Sequence, residues 1–335
     1  MTAVRTDSDP LLVLGEIHSG VLQNSRPITP ESADEMLSLI TDHPVRSWER
    51  PIRHAASGQV LTGVDCNLPA AGNARRAIGT VGTEVSVTGG RLLQASARTE
   101  IRSATETRRL SWSHYLTRPG VLEVSGDFPA AATATGFLSP SPRSQTLDLG
   151  GICSGVMGRA QSSPLLDRIT PFKASRTRLR WAALVVTDRR PASAGFMIEA
   201  DGLRTLSITA PAEVLNHLSA LCENVALHDW LLTTVNALVD SADLGRRDQE
   251  SVVRHLRPAI DHLLHTWMPT ARLPDNVIPF WHEIDRRSGL SVHWETLVQR
   301  IRDQLALAMI ERTDPRQTGL VDVRARAQSG SVVPR

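Results

Sequence analysis

The spacing of apolar residues changes once along this chain, near Pro211, and each spacing admits only one kind of element. Before that point apolar residues recur at every second position. In "VGTEVSVTGGRLLQASARTEI", Val81, Thr83, Val85 and Val87 alternate with their neighbours, and Gly89-Gly90 can supply the positive-φ turn of a hairpin. "FMIEADGLRTLSIT" reads as a second hairpin turning at Asp201-Gly202, and "LLVLGEI" as a short buried strand. One helix interrupts this region at "TPESADEMLSLI". Thr29 stands at its N-cap, Pro30 at the first helical position, and Glu31 and Asp34 in the positive first turn. The stretch from Asp127 to Gln145, rich in Ala, Ser, Thr and Pro, reads as an exposed loop.

After Pro211 the apolar residues fall three and four apart. Val214 to Val225, Leu231 to Val239, Val253 to Trp267 and Trp294 to Ala308 give four helical stripes. A short helix from Pro279 to Arg287, stopped by Gly289, bridges the last two. The expected fold class is therefore α+β. A β-rich portion with antiparallel hairpins spans about 10–210 and packs against a C-terminal helical bundle of four or five members over 211–313, and 314–335 follow as a disordered tail.

Charge narrows the function classes. The 335 residues carry 37 basic and 35 acidic side chains, a net of +2, so no strong field draws nucleic acid. All the basic residues except Lys173 are arginine, the mark of a GC-rich genome rather than of a ligand. Cys66, Cys153 and Cys222 are few, odd in number and far apart, which fits a reducing compartment and neither a disulfide framework nor a zinc knuckle. With no apolar run long enough for a bilayer and no signal-peptide pattern, a cytoplasmic protein without membrane association is expected.

Several stretches gather chemistry-bearing residues. "RPAIDHLLHTWMP" sets Asp261, His262 and His265 within five positions, and two histidines three apart can offer two ligands to one metal. A zinc site needs a third protein ligand, and no HExxH motif supplies it. The economical reading is a solvated helix face on which Asp261 pairs with Arg257 or His265 at i±4, so no metal and no cofactor is expected. "GICSG" places Cys153 as a weak candidate nucleophile. In "TRLRWAALVV", Arg176, Arg178 and Arg180 share one side of a strand and form a weak phosphate grip, more simply the wet face of an edge strand with Leu179 and Trp181 turned inwards. The glycine-rich segments have neither a GK[ST] phosphate loop nor a GxGxxG opening a helix. Trp230, Trp267 and Trp281, with Leu307 and Ile310 off the apolar face of the last helix, are either bundle filler or a docking surface.

With "VLTGVDC" at 60–66, "SPLLDR" at 163–168, "ALHDWLLTT" at 226–234, "RPAIDHLLHTWMP" and "IRDQLALA" at 301–308, the chain resembles an uncharacterised family of conserved actinobacterial proteins. The resemblance implies a gene neighbour that is a variant P-loop protein, and it carries over no catalytic residue. The leading expectation is a non-catalytic adaptor or scaffold subunit of a cytosolic multi-protein complex, with protein partners and possibly that P-loop protein among them. A hydrolase or metal-dependent enzyme using the His/Asp face or Cys153 is one alternative, and arginine-mediated nucleic-acid binding is another.

Overall fold

The structure is a computed structural model that describes residues 10–49, 53–68, 75–104, 106, 108–126, 128–139, 146–186, 193–242 and 249–313. The tail expected over 314–335 lies outside them. Ten strands form one mixed sheet: β1 (Leu12–Val21), β2 (Arg46–Trp48), β3 (His54–Ala56), β4 (Val60–Leu68), β5 (Arg75–Thr88), β6 (Leu92–Ser103), β7 (Val121–Val124), β8 (Thr177–Val185), β9 (Ser193–Ile198) and β10 (Arg204–Ala210). The order is β2-β3-β5-β7-β6-β1-β8-β10-β9, with β4 and β6 also paired to β5. Pairing is antiparallel except between β6 and β7 and between β8 and β10. Both expected hairpins form. Gly89 and Gly90 take φ of 60° and 67° between β5 and β6, values that only glycine adopts freely. At the second turn the Asp201 side chain accepts the Leu203 N–H at 3.0 Å, ahead of β10.

Helices cover both faces. On one side lie α1 (Pro30–Leu37), α3 (Ala130–Leu138) and α4 (Leu149–Gln161), while the short α2 (Trp112–Leu116) packs on the opposite face, its Trp112 ring over Gly63 of β4. The α1 start follows the expected chemistry, because Thr29 Oγ1 accepts the Ser32 N–H at 3.3 Å and Pro30 stands first in the helix. Leu12, Leu14, Val81, Ala97 and Ala182 on this side of the sheet pack with Phe137, Leu149 and Cys153. On the other side lie α5 (Leu215–Ala242), α6 (Gln249–His262), α7 (Ile278–Ser288) and α8 (Leu290–Thr313). α5 rests on β1, β8 and β6 and is backed by α6 and α8. Ile17, Leu179, Trp181, Leu206 and Ile208 meet Cys222, Val225, Trp230 and Val235 there, in one apolar cluster that continues into α6, α7 and α8.

Four expectations are corrected. The Ala-rich segment expected to be a loop contains α3, whose Phe137 and Thr133 are buried, since alanines favour a helix once a sheet face covers them. The stripes at 214–225 and 231–239 belong to one 28-residue helix, for "ALHDW" between them holds no breaker. α6 stops at His262 and is followed by a 3₁₀ turn, Leu264–Thr266; the helix buries Val252, Leu256 and Ala259, Leu263 is buried just after it, and Val253 and Ile260 face out. β8 is not an edge strand, because it sits between β1 and β10.

Candidate ligand-binding cleft

Paired residues on neighbouring strands share a sheet face, so the register tells what α5 covers. Ile17 pairs with Leu179 and with Ser96, Ser96 with Glu84, Gln94 with Ser86 and with Ser19, and Arg98 with Gly82. The face beneath α5 therefore changes from apolar on β1, β8 and β10 to polar on β5 and β6. Alternation requires this: with Val81, Val85 and Val87 buried against α1 and α4, the intervening Gly82, Glu84, Ser86 and Thr88 must point towards α5. The first half of α5 answers with Asn216, Ser219, Ala220, Glu223 and Asn224 in place of leucines.

The two polar surfaces do not close on one another. They leave a cavity of about 430 Å³ lined by Arg46, Trp48, His54, Glu84, Gln94, Glu223, Asn224 and Arg272 among others. A neighbouring cavity of about 490 Å³ shares Arg46, Glu84, Ala220 and Glu223 with it and adds Ser96 and Arg98. β2 and β3 form one wall, where Arg46 stands over the Trp48 ring and Trp48 packs on His54 with centroids 4.9 Å apart. The segment between α6 and α7 brings Arg272 into the lining, and its Nη1 donates to Thr88 Oγ1 at 3.2 Å.

Electrostatics in this cleft is unusual for so balanced a chain. Burial, reinforced by the Glu223 charge, pushes the Glu84 carboxyl up to about 7 despite an ion pair with Arg46 and the pull of Arg98. Glu223 is raised as well, by burial, against hydrogen bonds from Ser96 and Ser219 and the Arg98 charge. Burial and the Arg272 and Arg46 charges hold His54 down to about 3, so the ring is neutral. Burial lowers Arg272 to about 10, still protonated at neutral pH. Two hydrogen-bonding atoms here have no partner among the described residues. Asn224 is only 4% exposed; its Nδ2 donates to the Pro269 carbonyl at 2.6 Å, while Oδ1 stands alone. Arg272 Nη2 is likewise buried and unpartnered. A buried polar group without a partner costs about 1–3 kcal/mol.

The residues singled out in the sequence lie elsewhere. Asp261 and His265 are exposed, Asp261 takes the Arg257 guanidinium at 3.1 Å, and His265 has left the helix for the 3₁₀ turn. His262 stacks on Phe172 with centroids 6.3 Å apart, and burial lowers its pKa. Among the described residues no three His, Cys, Asp or Glu side chains are grouped to hold a metal. Cys153 sits in the middle of α4, fully buried, and its thiol donates to the Glu16 carbonyl at 3.0 Å. Burial and the Glu16 charge push the thiol well above its ordinary range, which leaves no thiolate to attack anything.

Arg180 forms a buried ion pair with Glu16 at 2.9 Å and donates to the Ser139 carbonyl; Arg176 precedes β8, and only it and Arg178 are exposed. A three-pronged phosphate grip is thereby reduced to two side chains. Trp230 and Trp281 are buried in the α5–α8 core, so they are filler rather than docking surface. The Trp230 N–H is satisfied by the Ser175 carbonyl at 2.9 Å. Trp267 is half-buried and stacked on Trp294 at 4.5 Å. Leu307 is 50% exposed, and the Ile310 side chain lies outside what the structure describes.

No described helix is long and apolar enough to cross a membrane. Comparison of the chain with protein-family models, with curated proteins and with solved structures finds no match in any of the three.

Proposed function

We propose that this protein binds a small polar molecule in the cleft between α5 and the β5–β6 part of the sheet. One observation carries the reading: a sheet face that is apolar under most of α5 turns polar for two strands, and there the helix and sheet stand apart around a cavity instead of packing. A folded chain gains nothing from burying Glu84, Glu223 and Arg272 together, since desolvating charges costs more than their mutual attraction returns. Such a cluster persists where binding uses it. Ala220 lines both cavities, so Ala220→Trp fills the cleft from the helix. Native mass spectrometry of the full chain exposed to a small-molecule extract is expected to show a retained ligand for the wild type and none for Ala220→Trp. An identical pattern in both proteins would place binding elsewhere.

An adaptor role is our second proposal, with the P-loop protein implied by the family resemblance as first candidate partner. It is supported at β9, the end strand of the sheet, where Met197 and Ile198 are 63% and 57% exposed beside a groove of about 540 Å³ formed with α5, α7 and α8. Ile198→Glu is expected to abolish co-purification of that partner, and retention of the partner would remove β9 from the interface.

A further inference from the structure

We infer that Ser154, His18 and Glu16 form a second site, on the opposite face of the sheet from the cleft, where the Ser154 hydroxyl attacks the carbonyl of a carboxylic ester. Glu16 and His18 stand two apart on β1 and so share a face with Leu14, the face that α4 covers. α4 runs along that strand, with Gly150 over Glu16, Ser154 over His18 and Met157 over Gly20. Gly150 allows the close seating, since a Cβ there would lie 2.6 Å from Glu16 Oε1. The candidate nucleophile thus moves by one residue, from Cys153, which is turned into the sheet, to Ser154, which is exposed.

Three bonds in series join the hydroxyl to a buried charge. Arg180 Nε donates to Glu16 Oε2 at 2.9 Å, His18 Nε2 donates to Glu16 Oε1 at 3.1 Å, and Ser154 Oγ donates to His18 Nδ1 at 3.4 Å. Burial works to raise the Glu16 carboxyl, but the His18 and Arg180 contacts outweigh it and hold it below the usual carboxylate range. An ionised carboxylate only accepts, so Nε2 carries the ring proton and Nδ1 keeps its lone pair for Ser154. A hydroxyl facing an imidazole that a carboxylate orients is the arrangement of nucleophilic catalysis, and its first bond is commonly long before substrate binds. Glu16 and His18 are only 1% and 2% exposed, so the hydroxyl is the part a substrate meets.

Ser154 also departs from its kind. Within helices of this chain Thr233, Ser288 and Thr296 donate to the carbonyl four residues back, whereas Ser154 donates to His18. One turn on, Gly158 has open space where a side chain would stand. Alanine would fit there and favour the helix, so glycine keeps the approach to Ser154 bare. Arg178 lies directly opposite His18 in the β1–β8 register, on the same face and exposed, a cation for the charge that develops on the carbonyl oxygen.

In the step itself Ser154 Oγ bonds to the carbonyl carbon while its proton passes to His18 Nδ1, and Glu16 holds the imidazolium. The ester C–O bond then breaks, and the departing alkoxide takes that proton, leaving an acyl-serine. Water repeats the sequence: it gives a proton to His18, its oxygen bonds to the acyl carbon, and Ser154 leaves with the proton restored. Ser154 and His18 are catalytic in this scheme, and Glu16 is a positioning residue.

The test is hydrolysis of p-nitrophenyl acetate by the full chain, together with labelling by diisopropyl fluorophosphate. Many turnovers per chain and a label on Ser154 are expected. Ser154→Ala, at an exposed position that does not threaten folding, should abolish the label and lower kcat by roughly a hundredfold or more. Glu16→Gln should lower kcat by a similar factor with KM unchanged, since the ring is then held in the wrong tautomer. Arg178→Gln should lower kcat by roughly tenfold to a hundredfold. Ser113→Ala, an exposed serine on α2, should change neither measurement. A wild type that neither turns over nor takes the label, a label on another residue, or Ser154→Ala as fast as wild type would each overturn the site. A labelled Ser154 without turnover would overturn the hydrolytic step.

Discussion

Beneath α5 the sheet presents Ile17, Leu179, Trp181, Leu206 and Ile208 on one side and Glu84, Gln94, Ser96 and Arg98 on the other, although both sets lie on one face under one helix. The apolar side packs directly on the helix, with Trp181 and Trp230 buried in its core. Its ion pair, Arg204 to Asp229 at 2.7 Å, is supported by a bond from Arg204 to Thr233. The polar side closes only in part, and leaves a cavity and two unmatched atoms. Burying hydrocarbon yields about 25 cal/mol per Å² whatever the neighbour, whereas a buried polar atom contributes about 0.5–1.5 kcal/mol only once a specific partner is found, and costs about 1–3 kcal/mol without one. Stability thus resides on the β1–β8–β10 side, and the proposed recognition on the β5–β6 side.

The most damaging substitution should accordingly be Trp181→Ala. It empties the largest side chain on the apolar side of the sheet and is expected to cost about 3–5 kcal/mol, read from the urea midpoint with the m-value held. A cost no greater than that of Gln94→Ala would break the division.

Next in size is an acid-side loss from the helical layer. His228 is buried against Trp267 and Trp281, donates from Nδ1 to the Asn224 carbonyl at 2.7 Å, and accepts the Met268 N–H on Nε2; burial lowers its pKa to about 4. Below pH 6.5 the unfolded chain takes up a proton that the folded chain refuses, so stability falls until about pH 4, by roughly 2–4 kcal/mol. His228→Asn should remove that slope, and equal slopes in wild type and variant would contradict the assignment.

The cleft predicts the opposite sign. With Glu84 raised to about 7, the folded chain keeps its proton between about pH 4.5 and 7 while the unfolded chain releases it, so stability falls as pH rises through this window. Glu84→Gln should be roughly 1–3 kcal/mol more stable than wild type at pH 8 and nearly equal to it at pH 4.5. A wild type that is the more stable at pH 8 would mean that Glu84 serves the fold rather than a ligand.

Smallest is the exposed pair on α6. Asp261→Asn should change stability by no more than about 0.5 kcal/mol, and should leave any bound ligand undisturbed. A larger effect on either measurement would return that stretch to consideration as a site.

Much of the fold was legible because local chemistry carried it. Gly89-Gly90 dictates a hairpin wherever the chain goes, and Thr29-Pro30 starts a helix whatever covers it. α3 and the continuity of α5 were hidden because alanine, serine and an unbroken polar interval between two stripes take their meaning from the surface packed on them. The cleft was hidden for another reason. Arg46, His54, Glu84, Arg98, Glu223 and Arg272 come from six separate places, and only strand register and the seating of α5 bring them together. A trace of it was present. Glu84 and Ser86 alternate with buried valines, which marks them for the opposite face, but nothing local told that a helix would roof that face. Asp261, His262 and His265 drew attention by adjacency in sequence, and adjacency on an amphipathic helix reaches mostly water.

Gly15 and Trp181 sit opposite each other on β1 and β8, and a methyl group added at Gly15 would occupy the space of the indole. Neither position can drift alone: a larger residue at 15 evicts the indole, and a smaller one at 181 opens a void that only a bulkier partner at 15 refills. Across diverging copies of this chain the two sites should exchange bulk as a pair, one growing as the other shrinks.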